Sequence, residues 1–196
     1  MPKRLLDLIL SIILLIPLLP VMIIIAILIR LESKGNPIFA QQRPGQHDKP
    51  FTIYKFRTMR VDTPDIPTNE FEERDKYITK VGKFLRITSL DELPQLLNII
   101  KGEMSFVGPR PPVFSQKELR KNRNQSGVNN LKPGITGWAQ INGRDSMDDK
   151  QKFKHDLYYL KNQSFWLDIK IIFLTFLKVI KRDGIIENEQ NNNKKA

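Results

Sequence analysis

Two adjacent carboxylates, Asp91 and Glu92, are the residues of this chain best suited to carry out chemistry. They lie in a stretch where either Ser89 or Asp91 could cap a helix. We favour Asp91, because Pro94 then falls within the first turn, where amide hydrogens have no helical partner in any case. A carboxylate at the positive end of a helix stays ionised. It could act as a nucleophile or a metal ligand, or it could be an ordinary helix-start residue.

The helix that holds the acidic pair is expected to run from about Glu92 to Lys101, with Gly102 as its end. Helical spacing predicts its buried face. That face consists of Leu93, Leu96, Leu97 and Ile100. A shorter helix is predicted upstream, over residues 80–86, and it ends with Arg86 close to the acidic pair. Its inward residues are expected to be Val81, Phe84 and Leu85.

A predicted β-hairpin carries the next pair of basic residues. Two strand-like stretches, 37–42 and 51–59, flank the turn-rich segment 44–50. Lys55 and Arg57 share one face of the second strand, because side chains in a strand alternate with a period of two. They could form a phosphate-facing pair, or they could be a solvated face near an acidic membrane.

Two loops after the acidic pair could also bind phosphate. Pro109 and Pro111 flank Arg110, and the stiff backbone would hold a guanidinium suited to bidentate phosphate binding, although Pro-Arg-Pro also occurs in plain loops. A second loop contains three glycines and Thr136 and ends in Arg144. It could cradle a phosphate, yet it lacks the spacing of a Walker or dinucleotide motif.

The composition indicates an anionic partner. The 196 residues suggest one domain, and 32 Lys and Arg against 21 Asp and Glu give a net charge of +11. Phosphate-bearing substrates, anionic lipid and nucleic acid all fit this charge. The absence of cysteine excludes disulfides and thiol chemistry, and the presence of only two histidines argues against a histidine-rich zinc site.

The N-terminal part of the chain predicts a membrane element. From Leu8 to Ile29 every residue is apolar except Ser11, counting Pro17 and Pro20 as neutral, and these 22 residues are enough to cross a bilayer. Basic residues flank both ends, so the positive-inside tendency places both flanks in the cytoplasm. A re-entrant helix that bends at the prolines satisfies this pattern. A proline-kinked span is the alternative.

An apolar helix is predicted near the C-terminus, over about residues 165–182. One side is expected to contain Trp166, Ile169, Ile172, Phe173, Phe176, Leu177, Val179 and Ile180. The helix could lie in the membrane interface, or it could pack on the domain core. We also predict a mobile surface loop over 61–76, a surface helix or loop over 115–130 and a disordered tail from residue 187.

The predicted elements bring one acidic pair together with several arginines, namely Arg86, Arg110 and Arg144. Carboxylates surrounded by fixed cations suit a site in which phosphate and a divalent metal lie between them. Phosphoryl transfer uses this combination of nucleophile, metal and cationic side chains. Residue spacing does not identify the substrate.

Three motifs in a fixed order resemble the bacterial sugar transferase family. They are Thr88-Ser89-Leu90-Asp91-Glu92-Leu93-Pro94-Gln95, Gly108-Pro109-Arg110-Pro111 and Lys132-Pro133-Gly134-Ile135-Thr136-Gly137. More narrowly, the chain is similar to the small monotopic phosphoglycosyl transferases, from about Lys3 to Arg182. The resemblance implies an α+β fold with a re-entrant membrane helix and its flanks over 1–36. A compact, mostly helical cytoplasmic catalytic domain would follow over 37–184, with a short β-hairpin and interfacial amphipathic helices, and then the tail over 185–196.

The same resemblance implies an enzyme that transfers a sugar 1-phosphate from a nucleotide diphosphate sugar, expected to be a UDP-sugar, to polyprenyl (undecaprenyl) phosphate. Asp91 would attack the β-phosphorus and form a covalent phosphosugar, with release of UMP. Glu92 would help Asp91 to hold Mg²⁺, Arg110 would bind a phosphate, and Arg86 matches a position associated with the nucleotide sugar. The further candidates for substrate binding are Lys55, Arg57, Thr136 and Arg144.

The resemblance also places the protein at the cytoplasmic face of the bacterial inner membrane, in contact with phospholipid. It would catalyse the first membrane step of glycoconjugate or exopolysaccharide synthesis, and no nucleic acid partner is expected. One residue departs from the family pattern, because related members bend their membrane helix at a Ser-Pro pair and Leu19 precedes Pro20 here. A membrane phosphatase or pyrophosphatase, or a basic membrane-surface module without chemistry, are the alternatives.

Overall fold

The chain begins with one long apolar helix, α1 (Pro2–Glu32), which packs along the domain formed by the rest of the protein. A computed structural model of the chain describes residues 2–63, 74–143 and 147–181. The elements that follow α1 are β1 (Ile38–Pro44), β2 (Pro50–Phe56), α2 (Arg74–Tyr77), α3 (Lys80–Thr88), α4 (Gln95–Lys101), β3 (Ser105–Val107), α5 (Lys117–Ser126), β4 (Gly134–Thr136), α6 (Trp138–Asn142), α7 (Asp149–Asn162) and α8 (Phe165–Lys181). The mixed, mostly helical architecture agrees with the predicted α+β class.

In the described part of the chain, α1 is the helix long and apolar enough to cross a membrane. Its 31 residues correspond to about 45 Å at the usual rise per residue. The helix is continuous through Pro17 and Pro20. A row of large apolar side chains on it is exposed, and this row includes Ile9, Ile12, Ile13, Ile16, Ile23, Ile24, Ile27 and Leu31. The re-entrant path stays a prediction.

Both ends of α1 are hydrogen-bonded to the same domain. Near the first end, Arg4 donates to the carbonyl oxygens of Ile99, at 2.5 Å, and Ile100, at 2.8 Å. At the other end, the Glu32 carboxylate accepts from the amides of Lys80, at 2.6 Å, and Val81, at 2.9 Å. The two flanks of the apolar run therefore both contact the domain that follows α1.

The predicted hairpin is confirmed, with antiparallel pairing from Ile38 opposite Phe56 to Pro44 opposite Pro50. Its inner face packs on α4 and α1. This part of the core contains Phe51, Ile53, Leu96, Ile99 and Met104. A neighbouring cluster joins α1 to the hairpin and α3 through Met22, Ile25, Ile29, Phe56 and Leu85. The hairpin is thus held between the membrane helix and the helices on either side of the acidic pair.

The buried faces of α3 and α4 differ in part from the predicted ones. In α3, Leu85 is buried as expected, but Phe84 is 58% exposed, because Gly82 and Leu85 form the inner face. In α4, Leu97 is 42% exposed. Leu96 is buried as predicted, and Ile99 takes the second fully buried position in place of Leu97, since Leu96 and Ile99 face the hairpin. Gly102 ends α4 in a left-handed conformation, as predicted.

The C-terminal half forms a second packed region around the parallel pair of β3 and β4. Its core consists of Val107, Ile141, Tyr159 and Ile171. The predicted helix or loop over 115–130 contains α5 and a 3₁₀ turn, Val128–Asn130. Residues 64–73 of the predicted mobile loop, and the predicted tail, lie outside the described residues.

Helix α8 has two apolar faces. One of them packs on the domain core, which was one of the two arrangements predicted for this helix. Leu167, Ile171 and Leu174 pack on the core. The other face is exposed, with Trp166 at 78%. Phe165, Ile169, Phe173, Phe176 and Ile180 continue this exposed face. An exposed apolar face of this size is what an interfacial helix needs.

Candidate active site

The acidic pair lies in a short turn between two helices. Ser89 follows α3 in a left-handed conformation, with φ at 57°, and reverses the direction of the chain. Leu90–Glu92 then forms a 3₁₀ turn, and α4 begins only at Gln95. The prediction that Asp91 caps the following helix is therefore wrong, because the left-handed Ser89 ends α3 and Pro94, three residues after Asp91, is the residue that precedes α4. Asp91 and Glu92 project from the turn itself.

Glu92 is clamped by two cations. Its Oε1 atom accepts from Lys55 Nζ at 2.8 Å and from Arg110 Nη2 at 3.0 Å. Its side chain is 15% exposed. Burial alone would raise the pKa of Glu92, but the charges of Arg110 and Lys55, together with their hydrogen bonds, lower that pKa to about 2. Glu92 is thus a permanent anion at neutral pH.

Asp91 has a different environment, although it is the next residue. Burial raises the pKa of its half-buried carboxyl group, and the negative charge of Glu92 raises it further, while Lys55, Arg110 and Arg86 oppose the shift. Among the described residues the Asp91 carboxylate has neither a hydrogen-bond donor nor an ion-pair partner. Its oxygens are therefore available to a ligand, whereas those of Glu92 are partly used within the protein.

The predicted cations Lys55 and Arg110 meet at Glu92, the neighbour of Asp91, and their charges, together with that of Arg86, lower the pKa of Asp91. Arg86 is oriented by a hydrogen bond from its Nε to Thr58 Oγ1, at 2.9 Å. This approach requires glycine at position 82, because a Cβ there would lie 2.0 Å from the Thr58 carbonyl oxygen. The close packing of α3 on the end of the hairpin thus brings Arg86 toward the acidic pair.

The loop that carries Arg110 is held from both sides. A Cβ at Gly137 would lie 2.1 Å from the Gly108 carbonyl oxygen, so the two loops touch through their backbones. On the other side, Arg123 Nη1 donates to the carbonyl oxygen of Arg110 at 2.9 Å. Arg123 is itself paired with Asp156 on α7, at 2.6 Å, and both side chains are buried. Arg110 therefore extends from a fixed backbone.

Two predicted substrate-binding residues are directed elsewhere. Arg57 lies just beyond β2 and donates to the carbonyl oxygens of Ser33, at 2.5 Å, and Lys34, at 3.0 Å, so it links the hairpin to the end of α1. The buried Thr136 hydroxyl lies 2.7 Å from the hydroxyl of Thr175 on α8. The structure does not bring these two side chains to the acidic pair. Arg144 lies outside the described residues.

One further cation, Arg43 on β1, lies close to Arg110, and the sequence pattern does not single it out. Its Nε and Nη2 atoms donate to Gln41 Oε1, at 2.9 and 2.7 Å. Burial lowers the pKa of Arg43 to about 10, with a second contribution from the positive charge of Arg110. The signal that could have found Arg43 is the pairing register of the hairpin, which places it on the same face as Lys55.

The acidic pair can contribute to a magnesium site but does not form one alone. In the described part of the chain, no group of three or more His, Cys, Asp and Glu residues is suited to hold a metal. Mg²⁺ is commonly held by one or two carboxylates together with substrate phosphates and water. The unpaired carboxylate of Asp91 and the second oxygen of Glu92 fit such a shared site.

The sequence was compared with protein-family models and with known proteins. The model of the bacterial sugar transferase family matches residues 1–182. An uncharacterized sugar transferase of Bacillus subtilis, EpsL, is 45% identical over 190 residues, which cover 93% of this chain and 89% of the relative.

Relatives with a named substrate are longer. The UDP-glucose:undecaprenyl-phosphate glucose-1-phosphate transferase of Klebsiella pneumoniae is 45% identical over 90% of this chain, which covers 39% of the relative. The UDP-N-acetylgalactosamine-undecaprenyl-phosphate N-acetylgalactosaminephosphotransferase of Aeromonas hydrophila is 39% identical over 84% of this chain and 40% of the relative. The chain thus spans about two fifths of these named transferases.

Proposed function

This chain belongs to the bacterial sugar transferase family, and from that premise we propose that it transfers a sugar 1-phosphate from a UDP-sugar to undecaprenyl phosphate, with release of UMP. Two observations support this reaction. The relatives with named substrates act on UDP-sugars and undecaprenyl phosphate. The acidic turn offers an unpaired carboxylate surrounded by cations, which is the arrangement expected where one anion must attack another.

The observation that carries the proposal is the contrast between Asp91 and Glu92. Glu92 is fixed by Lys55 and Arg110, while the Asp91 carboxylate keeps its lone pairs for an electrophile. In the first step, an Oδ atom of Asp91 attacks the β-phosphorus of the donor. The bond from that phosphorus to the bridging oxygen breaks, and this oxygen leaves with UMP. A covalent phosphosugar on Asp91 results.

In the second step, a phosphate oxygen of undecaprenyl phosphate attacks the same phosphorus. The bond from phosphorus to Asp91 breaks, so the carboxylate is regenerated and the product is an undecaprenyl diphosphate sugar. The two steps exchange one phosphorus–oxygen bond for another and need no oxidant or reductant. Covalent catalysis thereby replaces a direct encounter of two anionic substrates by two easier transfers.

The surrounding cations have distinct parts in this scheme. Arg110 and Lys55 hold Glu92 in place and offset the negative charge that the donor phosphates bring. Arg86, which is held by Thr58, also acts on Asp91, and we assign it to the nucleotide sugar. Mg²⁺, held by Asp91 and Glu92 together with donor phosphates, would neutralise charge on the transferred phosphoryl group.

The exposed apolar faces support a membrane location for this chemistry. The outer row of α1 and the free face of α8 give the domain two apolar surfaces, and the acceptor is a lipid. We propose that the protein works at the cytoplasmic face of the bacterial inner membrane, in contact with phospholipid. A water-soluble donor and a lipid-borne acceptor then meet at one interfacial site.

The test is an assay of the purified protein in lipid nanodiscs with Mg²⁺, undecaprenyl phosphate and a panel of UDP-sugars. We expect UMP rather than UDP, and a lipid-linked product that is lost in Asp91→Asn. Asp62→Asn is the matched control, because Asp62 is an exposed carboxylate paired with Arg60. Release of phosphate without an acceptor would favour a phosphatase instead, and a protein with no turnover on any donor would contradict the proposal.

A further inference from the structure

The hairpin face that packs on α4 also carries polar side chains, and one of them, Lys55, contacts the acidic turn. Arg43 pairs with Phe51 and Gln41 pairs with Ile53, and directly opposed residues of an antiparallel pair point to the same face. Phe51 and Ile53 are buried against α4. Lys55, two residues further along the same face, contacts Glu92. Arg43 therefore extends from the hairpin face that carries Lys55 and faces the helix following the acidic pair.

Arg43 is a half-buried cation without an anionic partner among the described residues. Two of its nitrogens, Nε and Nη2, are held by the neutral Gln41 side chain. Its third nitrogen, Nη1, donates to no residue in the described ranges. Partial burial of a charge is unfavourable unless the charge is paired. The amide of Gln41 orients the guanidinium but does not neutralise it.

The loop that carries Arg110 lies beside Arg43, because Pro44 and Pro109, which adjoin these two arginines in the chain, line the same cavity. The positive charge of Arg110 makes the position of Arg43 less favourable still. Arg110 in turn contacts Glu92 at 3.0 Å. Arg110 therefore lies between the acidic pair and Arg43. Two guanidinium groups that approach each other in a partly buried site are expected where an anion binds between them, since only an anion makes the arrangement favourable.

We propose that Arg43 is a substrate-binding residue that, together with Arg110, binds the phosphate of the donor that leaves with the nucleoside. This inference rests on the proposed function and extends it to one side chain. The phosphorus that reacts lies at Asp91, and the phosphate next to it in a nucleotide diphosphate sugar is the leaving one. Arg110 adjoins the acidic pair and Arg43 follows it, so the leaving phosphate meets both guanidinium groups.

The packing of the Arg110 loop on the hairpin allows this assignment. Arg43 is opposite Phe51, and Phe51 precedes Lys55 by four residues, so the backbones of Arg43 and Lys55 are about 13 Å apart along the hairpin. Arg110 bridges this gap, because it contacts Glu92 while its loop lies beside Arg43, with Pro44 and Pro109 lining one cavity. The phosphate bonded to the reacting one is therefore placed at Arg110 and Arg43. Negative charge grows on the bridging oxygen as its bond to the β-phosphorus breaks, and guanidinium groups at that oxygen would stabilise the departing UMP.

The first test uses Arg43→Gln and Arg43→Lys, with the KM for the UDP-sugar, the KM for undecaprenyl phosphate and inhibition by UMP as readouts. We expect Arg43→Gln to raise the donor KM and the inhibition constant of UMP by about 10- to 100-fold, the usual loss for a hydrogen bond to a charged group. Arg43→Lys should recover part of this loss. The acceptor KM should not change.

A second variant keeps the side chain of Arg43 in place. Gln41→Glu has nearly the same shape and preserves both hydrogen bonds, but it supplies an internal anion that competes with the donor phosphate. We expect it to raise the donor KM and the UMP inhibition constant while the protein stays folded. Arg60→Gln is the matched control, since this exposed arginine is paired with Asp62 and should leave donor binding unchanged.

The outcomes separate this inference from the proposed function. If the unaltered protein forms the lipid-linked product while Arg43→Gln and Gln41→Glu leave the donor KM and UMP inhibition unchanged, the assignment of Arg43 is wrong and the reaction stands. A rise in the acceptor KM alone would also overturn the assignment. If the unaltered protein forms no product with any donor, the proposed function itself fails, whatever the variants do.

Discussion

Asp91 and Glu92 are adjacent in the chain, yet Glu92 accepts hydrogen bonds from two cations and Asp91 accepts none within the described residues. Their pKa values move in opposite directions, upward for Asp91 and downward to about 2 for Glu92. Neighbouring carboxyl groups whose environments separate their pKa values in this way commonly have different roles in a reaction. We assign the attack on phosphorus to Asp91 and the support of the surrounding charges to Glu92.

The first prediction concerns the nucleophile. Asp91→Asn should reduce product formation on the order of 10⁴-fold, because an amide cannot form the phosphosugar intermediate. Donor binding should persist, since the amide has nearly the shape of the carboxylate and removes a negative charge. Radiolabelled product formation measures the first effect, and equilibrium binding of UMP measures the second. Substantial turnover in Asp91→Asn, with no deamidation of the variant, would contradict the assigned role.

The second prediction concerns pH. Activity requires the ionised carboxylate of Asp91, and its raised pKa places the acid limb of the pH–rate profile above the pH expected for an ordinary aspartate. Glu92→Gln removes the negative charge that raises the pKa of Asp91, while the positive charges of Lys55 and Arg110, which lower this pKa, stay in place. The pKa of Asp91 should therefore fall. The acid limb of kcat/KM should therefore move to lower pH, even though the maximal rate also falls. An unchanged limb, or a shift to higher pH, would contradict this coupling.

Glu92 should also contribute to stability in a defined pH range. A carboxyl group whose pKa is lower in the folded state than in the unfolded state stabilises the protein at pH values above the unfolded-state pKa. This contribution disappears as the pH falls through the folded-state pKa of the group. For Glu92 the range extends from about 4.5 down to about 2. The difference in unfolding midpoint between the unaltered protein and Glu92→Gln should thus shrink across this range, when measured by scanning calorimetry in detergent. A constant difference would show that the ion pairs contribute nothing.

A site residue can be predicted from the sequence when a short motif places it, and cannot be when its position depends on a partner that is distant in the chain. Asp91, Glu92 and Arg110 belong to short motifs, and the structure brings Arg110 to the acidic pair as expected. Arg57 and Thr136 look equally suitable in the sequence. Their partners, however, are distant in the chain: the end of α1 for Arg57 and Thr175 of α8 for Thr136.

Tertiary packing also decides which faces of the helices are buried. The prediction that Phe84 and Leu97 lie inward assumes that each short helix buries its most apolar stripe. In the structure, the contacts of Gly82 with Thr58 and of Leu96 with the hairpin set the rotation instead. Arg43 cannot be identified from a local motif for a related reason, because only the strand register shows that it shares a face of the hairpin with Lys55. Local patterns thus identify the elements, while contacts between distant segments determine their orientation.

The fourth prediction concerns the residues that hold the Arg110 loop in place. Removal of one partner of the buried pair, as in Asp156→Ala, should lower the free energy of unfolding by about 3 kcal/mol, because it leaves the charge of Arg123 buried and unpaired. Replacement of both residues, Arg123→Met with Asp156→Leu, should recover most of this stability. The double variant still lacks the donor to the Arg110 carbonyl oxygen, so its kcat should stay low. Full activity in a stable double variant would show that Arg123 has only a structural role.

The fifth prediction concerns the exposed face of α8. Replacement of Trp166, Phe173 and Phe176 by serine should speed the hydrogen exchange of α8 in nanodiscs, because the helix loses its contact with lipid, while the unfolding midpoint stays the same. Ile171→Ser is the contrasting variant, since Ile171 is fully buried and its loss should lower the unfolding midpoint. Hydrogen exchange and thermal unfolding measure the two effects. Unchanged hydrogen exchange of α8 in the triple variant would exclude this face as a membrane contact.

A single-turnover experiment without acceptor tests the role of Asp91 as nucleophile most directly. The protein is mixed with a UDP-sugar and Mg²⁺, UMP is quantified, and the protein is digested for mass spectrometry. We expect about one equivalent of UMP per active site and a phosphosugar mass on the peptide that contains Asp91. Absence of UMP until undecaprenyl phosphate is added, or attachment of the phosphosugar to another residue, would show that Asp91 is not the nucleophile.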